Sequence, residues 1–333
     1  MSLLIRALVA WLAAGGWPGP SRGGRPDAAA RNAACEGCHV EVAREWRGSM
    51  HQRAYVDADF AQSLAREPSA FCRGCHAPEA DPERPAPAAL AQLGVGCVTC
   101  HVPGDTVLAA PRSDVSKAPH EVLRLPGFAA DAACGGCHEF GFPDRPEVAM
   151  QGTLREHAAS GHAETRCVTC HMPGSPGGRR GHAFAASRDP ALLRRALAVR
   201  AQRRDESVHI ELAPAWVGHA VPTGDLFRRL VVEAEVADAQ WQVLAHATRP
   251  LGRRFAAGGG ARVPVTDDRV GAHGPTTTQV VLELGDAARD RSIRWRVRYE
   301  RVAFGGEDGA EVWNSVTIAG GELPGRAKGR RMQ

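Results

Sequence analysis

All ten cysteines of this 333-residue chain fall into five copies of one pentapeptide pattern, and no cysteine is left over. The copies are Cys35-Glu36-Gly37-Cys38-His39, Cys72-Arg73-Gly74-Cys75-His76, Cys97-Val98-Thr99-Cys100-His101, Cys134-Gly135-Gly136-Cys137-His138 and Cys167-Val168-Thr169-Cys170-His171. Residues at i, i+3 and i+4 share one face of a helical turn. Two thiols on that face can form thioethers to the two vinyl groups of one porphyrin while the adjacent imidazole binds its iron, which is the attachment chemistry of c-type haem. A zinc site needs two such Cys pairs or separate His ligands, and five pairs would leave an odd half-site. Disulfides give no reason for a His to follow every second Cys. The ten cysteines are therefore read as anchors of five covalently bound haems c, with His39, His76, His101, His138 and His171 as proximal iron ligands.

The motifs are too closely spaced for an independent apolar core between them, so the haems themselves are expected to form much of the core. An aromatic content of only 5% agrees with that, because a porphyrin is a large flat apolar body against which side chains pack. Apolar residues make up 44% of the chain, which argues against disorder. The net charge of +4 is spread along the sequence and points to no nucleic-acid partner. Five ferric haems, each with about +1 at the iron and about −2 from its propionates, would take the chain to roughly −1, and full reduction to about −6.

Residues 1–26 read as a secretory signal: Arg6 in a short n-region, an apolar run from Ala7 to Ala14, and small residues from Ala13 to Gly16 where cleavage could occur. The run is short for a bilayer span, an uncleaved anchor being the alternative. No later segment resembles a transmembrane helix. Export to the periplasm or beyond the cell is also what covalent haem attachment outside the cytoplasm requires.

An internal repeat runs through the haem region. Trp46, Ser49 and His51 form W-x-x-S-x-H, and His157, Ser160 and His162 form H-x-x-S-x-H. Each is followed by Cys-Val-Thr-Cys-His, then Pro-Gly, then a later histidine, His120 in the first half and His182 in the second. The halves look duplicated, with the Cys72 to His76 motif inserted in the first.

The run from Cys35 to Tyr55, with C-E-G-C-H and W-R-G-S-M-H, together with F-C-R-G-C-H (Phe71 to His76) and G-V-G-C-V-T-C-H (Gly94 to His101), resembles multihaem cytochromes c of the cytochrome c-552/c-554 type. The resemblance covers roughly residues 30 to 185. It implies haems stacked in close pairs, mostly with two histidine ligands, and a role in electron transfer. Some relatives in the wider multihaem group are reductases or oxidases of small nitrogen or sulfur compounds. The lysine-containing C-x-x-C-K site of pentahaem nitrite reductases is absent from this chain.

Nine histidines remain beyond the five proximal ones. His51 and His162 are the leading distal ligands, because they occupy matching positions of the repeat. His182, in Gly181-His182-Ala183-Phe184, and His120, in Ala118-Pro119-His120, follow. His157 lies about 140° around a helix from His162, so the two are not expected to serve one iron. Met50 and Met172 are weaker alternatives. His209, His246 and His273 are expected on exposed positions.

After residue 186 the chain changes character. Residues 187–204 read as a linking helix, with Asp189 as N-cap, Pro190 in the first turn, and Leu192, Leu193, Ala196, Leu197 and Val199 at helical spacing. Residues 205–325 then show period-two patterning, clearest where Ile293, Trp295, Val297 and Tyr299 alternate with Arg294, Arg296, Arg298 and Glu300. This predicts an antiparallel β-sandwich, followed by a basic tail over 326–333. The Arg row is a solvated sheet face or, on a sharper reading, a surface that docks an acidic partner or haem propionates. Gly218-His219-Ala220-Val221-Pro222-Thr223-Gly224 is similar to a G-H-x-x-P-T-G segment of some multihaem cytochromes with a C-terminal β domain. There His219 either reaches back to a haem or caps a tight turn.

The expected architecture is α+β: a mainly helical, loop-rich pentahaem domain over 27–186 followed by the β-sandwich. The expected role is an exported electron carrier that hops electrons along its haems between a redox protein donor and acceptor. Assembly into a membrane-associated redox complex is compatible with this. No catalytic residue is singled out. The alternative is a reductase of a small nitrogen or sulfur oxyanion at one five-coordinate haem.

Overall fold

The computed structural model describes residues 24–111, 118–128, 130–174, 178–258, 261–303 and 310–325. The expected leader up to residue 23 and the expected basic tail lie outside them. In chain order the described helices are α1 (Ala28–Cys38), α2 (Val40–Arg47), α3 (Ala58–Arg66), α4 (Ala70–His76), α5 (Ala88–Leu93), α6 (Cys97–His101), α7 (Asp131–His138), α8 (Thr153–Ala158), α9 (Cys167–His171) and α10 (Pro190–Ala196). The strands are β1 (Val107–Ala109), β2 (Val122–Arg124), β3 (Glu139–Phe142), β4 (Arg145–Gly152), β5 (Leu197–Arg204), β6 (Ser207–Pro214), β7 (Arg228–Ala237), β8 (Val243–Leu251), β9 (Arg253–Gly258), β10 (Ala261–Asp267), β11 (Thr278–Glu283), β12 (Ile293–Val302) and β13 (Val312–Leu323). None of the described helices is long and apolar enough to cross a membrane.

The chain divides into two compact units, residues 1–143 with 165–188, and residues 144–164 with 189–333. The first unit ends close to the expected boundary at 186, but the segment 144–164, expected with the haem region, belongs to the second.

Unit 1 is helical and carries all five Cys-x-x-Cys-His motifs, each on a short helix. Its main apolar cluster joins Trp46, Leu90, Leu93, Val98 and Val102 to the small residues Ala28, Ala77 and Ala80. The duplication is visible in its hydrogen bonds. The backbone N–H of Cys97, opening α6, donates to Asn32 Oδ1 at 2.7 Å, and that of Cys167, opening α9, donates to Asp131 Oδ1 at 2.9 Å. Asn32 and Asp131 each stand three residues before the first Cys of an earlier motif. Each Cys-Val-Thr-Cys-His helix is thus capped by the helix of its partner motif, satisfying an N–H that a helix start leaves exposed.

Unit 2 is built from antiparallel sheets: a three-stranded one in the order β11-β6-β5 and a four-stranded one in the order β13-β12-β7-β8, with β9 and β10 as a separate pair. Val208, Ile210 and Leu212 of β6 are completely buried, as are Leu230, Val232 and Val236 of β7 and Ile293 and Val297 of β12. They form one shared core between the two sheets. Each such side chain contributes about 1.5–3 kcal/mol by burial. The α+β architecture and the antiparallel β half are as expected.

One expectation needs correction. The linking helix stops at Ala196 rather than running to residue 204, and Leu197–Arg204 is β5, paired antiparallel with β6 along its whole length. Asp189 does cap the helix, accepting from the N–H groups of Ala191 and Leu192. Leu197 and Val199 extend the helical spacing of Leu192, Leu193 and Ala196 and also open a period-two run with Ala201; pairing with β6 and inward burial of alternate residues decides for the strand. The Arg row lies on a solvated sheet face, with its charges matched by carboxylates. Arg294 pairs with Glu235 at 2.9 Å, Arg296 with Glu233 at 2.6 Å, and Arg298 with Glu233 at 2.9 Å and Glu300 at 2.6 Å. Antiparallel register sets Arg294 opposite Glu235 and Arg296 opposite Glu233, so neighbouring strand β7 neutralises the row.

Candidate metal centres

The attachment motifs have the geometry their spacing demands. Within α4, α6, α7 and α9, and at the C-terminus of α1, the two Cys and the following His lie on successive positions of one helical turn. Backbone carbonyls then orient the imidazoles. His76 Nδ1 donates to Ala54 O at 2.6 Å, His101 Nδ1 to Leu108 O at 2.9 Å, and His171 Nδ1 to Ala185 O at 2.8 Å. A proton held on Nδ1 leaves Nε2 as the lone-pair nitrogen, the form in which imidazole binds a metal.

Three expected distal histidines stand opposite attachment histidines within unit 1. Ring centroids are 6.4 Å apart for His39 and His120, 6.3 Å for His138 and His51, and 6.2 Å for His101 and His182. A metal held at about 2.0–2.1 Å from an imidazole nitrogen lies about 3 Å from the ring centre, so two imidazoles on opposite sides of one ion stand about 6 Å apart. In the third pair both rings turn Nδ1 to a carbonyl, that of His182 to Arg180 O at 2.9 Å. Burial, together with the nearby His171, pushes His51 down to about 4, and burial also lowers His101 and His182. All three are therefore neutral at pH 7, as metal ligation requires. Thioether-forming cysteines with facing imidazoles are the donor set of a covalently held haem with two axial histidines, and the residues present fit that group.

The flanking sequence holds these imidazoles in place. Trp46 is buried and donates from Nε1 to Val95 O at 2.8 Å, while Val95 N–H donates to His51 O at 2.8 Å. Between them Gly94 adopts φ +57°, and a Cβ there would meet His51 O at 2.6 Å. This explains why glycine precedes Val95 in G-V-G-C-V-T-C-H. Glu45 holds His182: it accepts the His182 N–H at 2.7 Å and a two-pronged contact from Arg179 at 2.7 and 2.9 Å. The Arg179 hydrogen bonds hold its carboxyl at about 2. Phe60 stacks on the His76 ring at 3.7 Å, and Phe184 meets His51 edge-on at 4.2 Å. Nothing in the local sequence of Glu45, Phe60 or Phe184 marked them for these positions, apart from Phe184 standing two residues beyond His182.

His162 and His219 belong to unit 2, where both line a cleft of about 200 Å³ together with Ser160, Pro214, Val217 and Pro275. His219 turns Nδ1 to Ala220 O at 3.0 Å. His157 holds the place that Trp46 has in the other half of the repeat. As Trp46 donates to Val95 O, His157 Nδ1 donates to Gly218 O at 2.7 Å; the Ser49 and Ser160 N–H groups accordingly donate to Trp46 O and His157 O. A Cβ at Gly218 would stand 2.9 Å from His157 Nδ1.

The rest of Gly218–Gly224 is clamped by buried charge. Thr223 Oγ1 donates to Glu156 at 2.6 Å, Arg269 donates to Glu156 at 2.7 Å and to Pro222 O at 3.0 Å, and Arg253 donates to Gly224 O at 2.6 Å. Of the histidines expected to be bystanders, His209 lies on β6, His246 is exposed on β8, and His273 engages Asp267 O through Nε2 at 3.0 Å.

Residues 34–102 match the family described as cytochrome c554 and c-prime. Among solved structures the chain is similar to a penta-heme cytochrome c552 from Thermochromatium tepidum, at 21% identity and a TM-score of 0.65, over 87% of this chain and 97% of that one. A β-glucuronidase from glycoside hydrolase family 2 aligns at 11% identity and a TM-score of 0.19, over 40% of this chain and 11% of that one, and carries no weight. No curated protein matches the chain.

Proposed function

We propose that this chain is an exported pentahaem c-type cytochrome that passes electrons singly between a redox protein donor and acceptor. The observation that carries the reading is the set of three imidazole pairs, His39 with His120, His138 with His51 and His101 with His182, at ring spacings of 6.2–6.4 Å. Each pair joins an attachment histidine to one far away in sequence, across a gap that accommodates one iron. The family match over 34–102 and the likeness to a penta-heme fold support it.

A bound haem supplies one-electron oxidation and reduction at its iron. The chain's part is to hold and tune it. Ten thioether cysteines fix five porphyrins, and the five following histidines supply the proximal nitrogens. His51, His120 and His182 supply distal nitrogens, kept neutral by burial or oriented by carbonyls. His162, the repeat counterpart of His51, and His219, with Nδ1 turned to a carbonyl, complete the proposed ligand set; His157, the counterpart of Trp46, acts as a structural donor. A histidine from each side of a haem would leave no position for substrate, which suits a carrier rather than a catalyst. Close packing of the five motifs in one unit suits hopping between neighbours. Partners meet the protein through transient interfaces, in solution or within a membrane-associated redox complex.

A pyridine haemochrome assay combined with intact mass tests this on the exported protein. Five haems per chain are expected, and fewer would overturn the reading.

A further inference from the structure

The segment Gly181–Ala185 touches more of the proposed haem centres than any single centre needs. His182 faces His101 at 6.2 Å. Two residues on, Phe184 presents its ring edge-on to His51 at 4.2 Å, and His51 is the imidazole that faces His138. The same Phe184 ring stands 5.8 Å from His182 at an interplanar angle of 86°. The next carbonyl, Ala185 O, accepts from His171 Nδ1 at 2.8 Å.

The backbone is bent to make this possible. Phe184 has φ +48°, a left-handed conformation that a bulky aromatic residue avoids unless its surroundings enforce it. The enforcement is on one side: Glu45 holds the His182 N–H, and Pro173 O accepts the Gly181 N–H at 2.9 Å. An extended residue at 184 would send its side chain and the Ala185 carbonyl in other directions, so the turn places ring and carbonyl together.

We propose that Phe184 is a positioning residue shared by two haem centres, His101/His182 and His138/His51, and that it makes their redox properties respond together. An aromatic edge against one imidazole and a perpendicular contact to the other restrict rotation of both ligand rings. A haem's potential follows its axial ligands and the groups that orient them. Through this ring the two centres share one such group. The proposal rests on the pentahaem reading above.

The test uses the full-length holoprotein with Phe184→Gly, since glycine takes the left-handed backbone without strain. His51→Ala and His182→Ala first identify the two low-spin ferric signals that belong to these centres, each by its loss. In Phe184→Gly the same two signals shift in g-value and in midpoint potential, while the other three stay in place. A shift of one signal, of none, or of all five overturns the proposal. Phe184→Ala is read in the same way and decides the matter if the glycine variant is not obtained as holoprotein. Haem counting separates the two levels of inference: fewer than five haems in the unaltered protein contradicts the pentahaem reading, whereas five haems with unmoved signals contradicts only the role of Phe184.

Discussion

His101 and His182 face each other at 6.2 Å with both Nδ1 atoms turned to backbone carbonyls, although they stand in different halves of a duplicated sequence. The pair carries a direct consequence. In His182→Ala one of the low-spin ferric haems should become high-spin in electron paramagnetic resonance, and His120→Ala and His51→Ala should each convert one more. His246→Ala, on an exposed strand position, should convert none. A strong high-spin signal in the unaltered protein would instead favour a reductase with an open axial position.

Glu45 ties His182 to the rest of unit 1 through three hydrogen bonds, two of them charge-assisted on both sides. Glu45→Ala removes the acceptor of the His182 N–H and of two Arg179 hydrogen bonds. The variant should unfold at a slightly lower denaturant concentration than the unaltered protein, read by denaturant titration. The signal of the His101/His182 centre should broaden with it.

Gly94 has room for no side chain, because a Cβ would run into the carbonyls of His51 and Gln52 and its φ is +57°. Gly94→Ala should destabilise unit 1 by about 2 kcal/mol or more and disturb the centre served by His51. Gly104→Ala, where a Cβ would meet nothing within 4 Å, is the matched control and should leave both unchanged.

In unit 2 the acid behaviour follows from Asp225. Burial alone would raise its carboxyl, but the adjacent Arg228 outweighs this and holds it at about 2. Unfolded aspartate titrates near about 3.9. A depressed folded value means that the pair's stabilisation is fully present above about pH 4 and is lost as pH falls through about 2. The melting temperature of Asp225→Asn should lie below that of the unaltered protein at pH 5, and the gap should close towards pH 2. A gap independent of pH would contradict the assignment.

Ile210 is completely buried at the centre of the β core. Ile210→Ala should cost about 2–5 kcal/mol. The haem signals should be retained at temperatures where the β unit stays folded.

Much of this was legible in the sequence because it depends on local spacing. Cys-x-x-Cys-His places its own three groups, and the W-x-x-S-x-H repeat singled out His51. The helix ending at Ala196 was not legible in full, because Leu197 and Val199 continue its spacing while also fitting a strand, and only the pairing with β6 decides between them. The repeat favoured His162 over His157 by spacing alone, but the contact that holds His157 was not legible. The Gly218 carbonyl that takes the His157 proton is 61 residues away. Glu45 and Arg179 are separated by 134 residues and meet only in the folded unit. The ring of Phe184 is aimed by a backbone angle that no pattern of hydrophobicity encodes.

Five covalent haems would make this chain a carrier of single electrons. A coulometric redox titration of the full-length protein, followed in the visible spectrum, counts those electrons directly. Five electrons should be taken up per chain, reversibly, with all absorbance changes those of c-type haem. Fewer than five, or reduction that does not reverse, would contradict it.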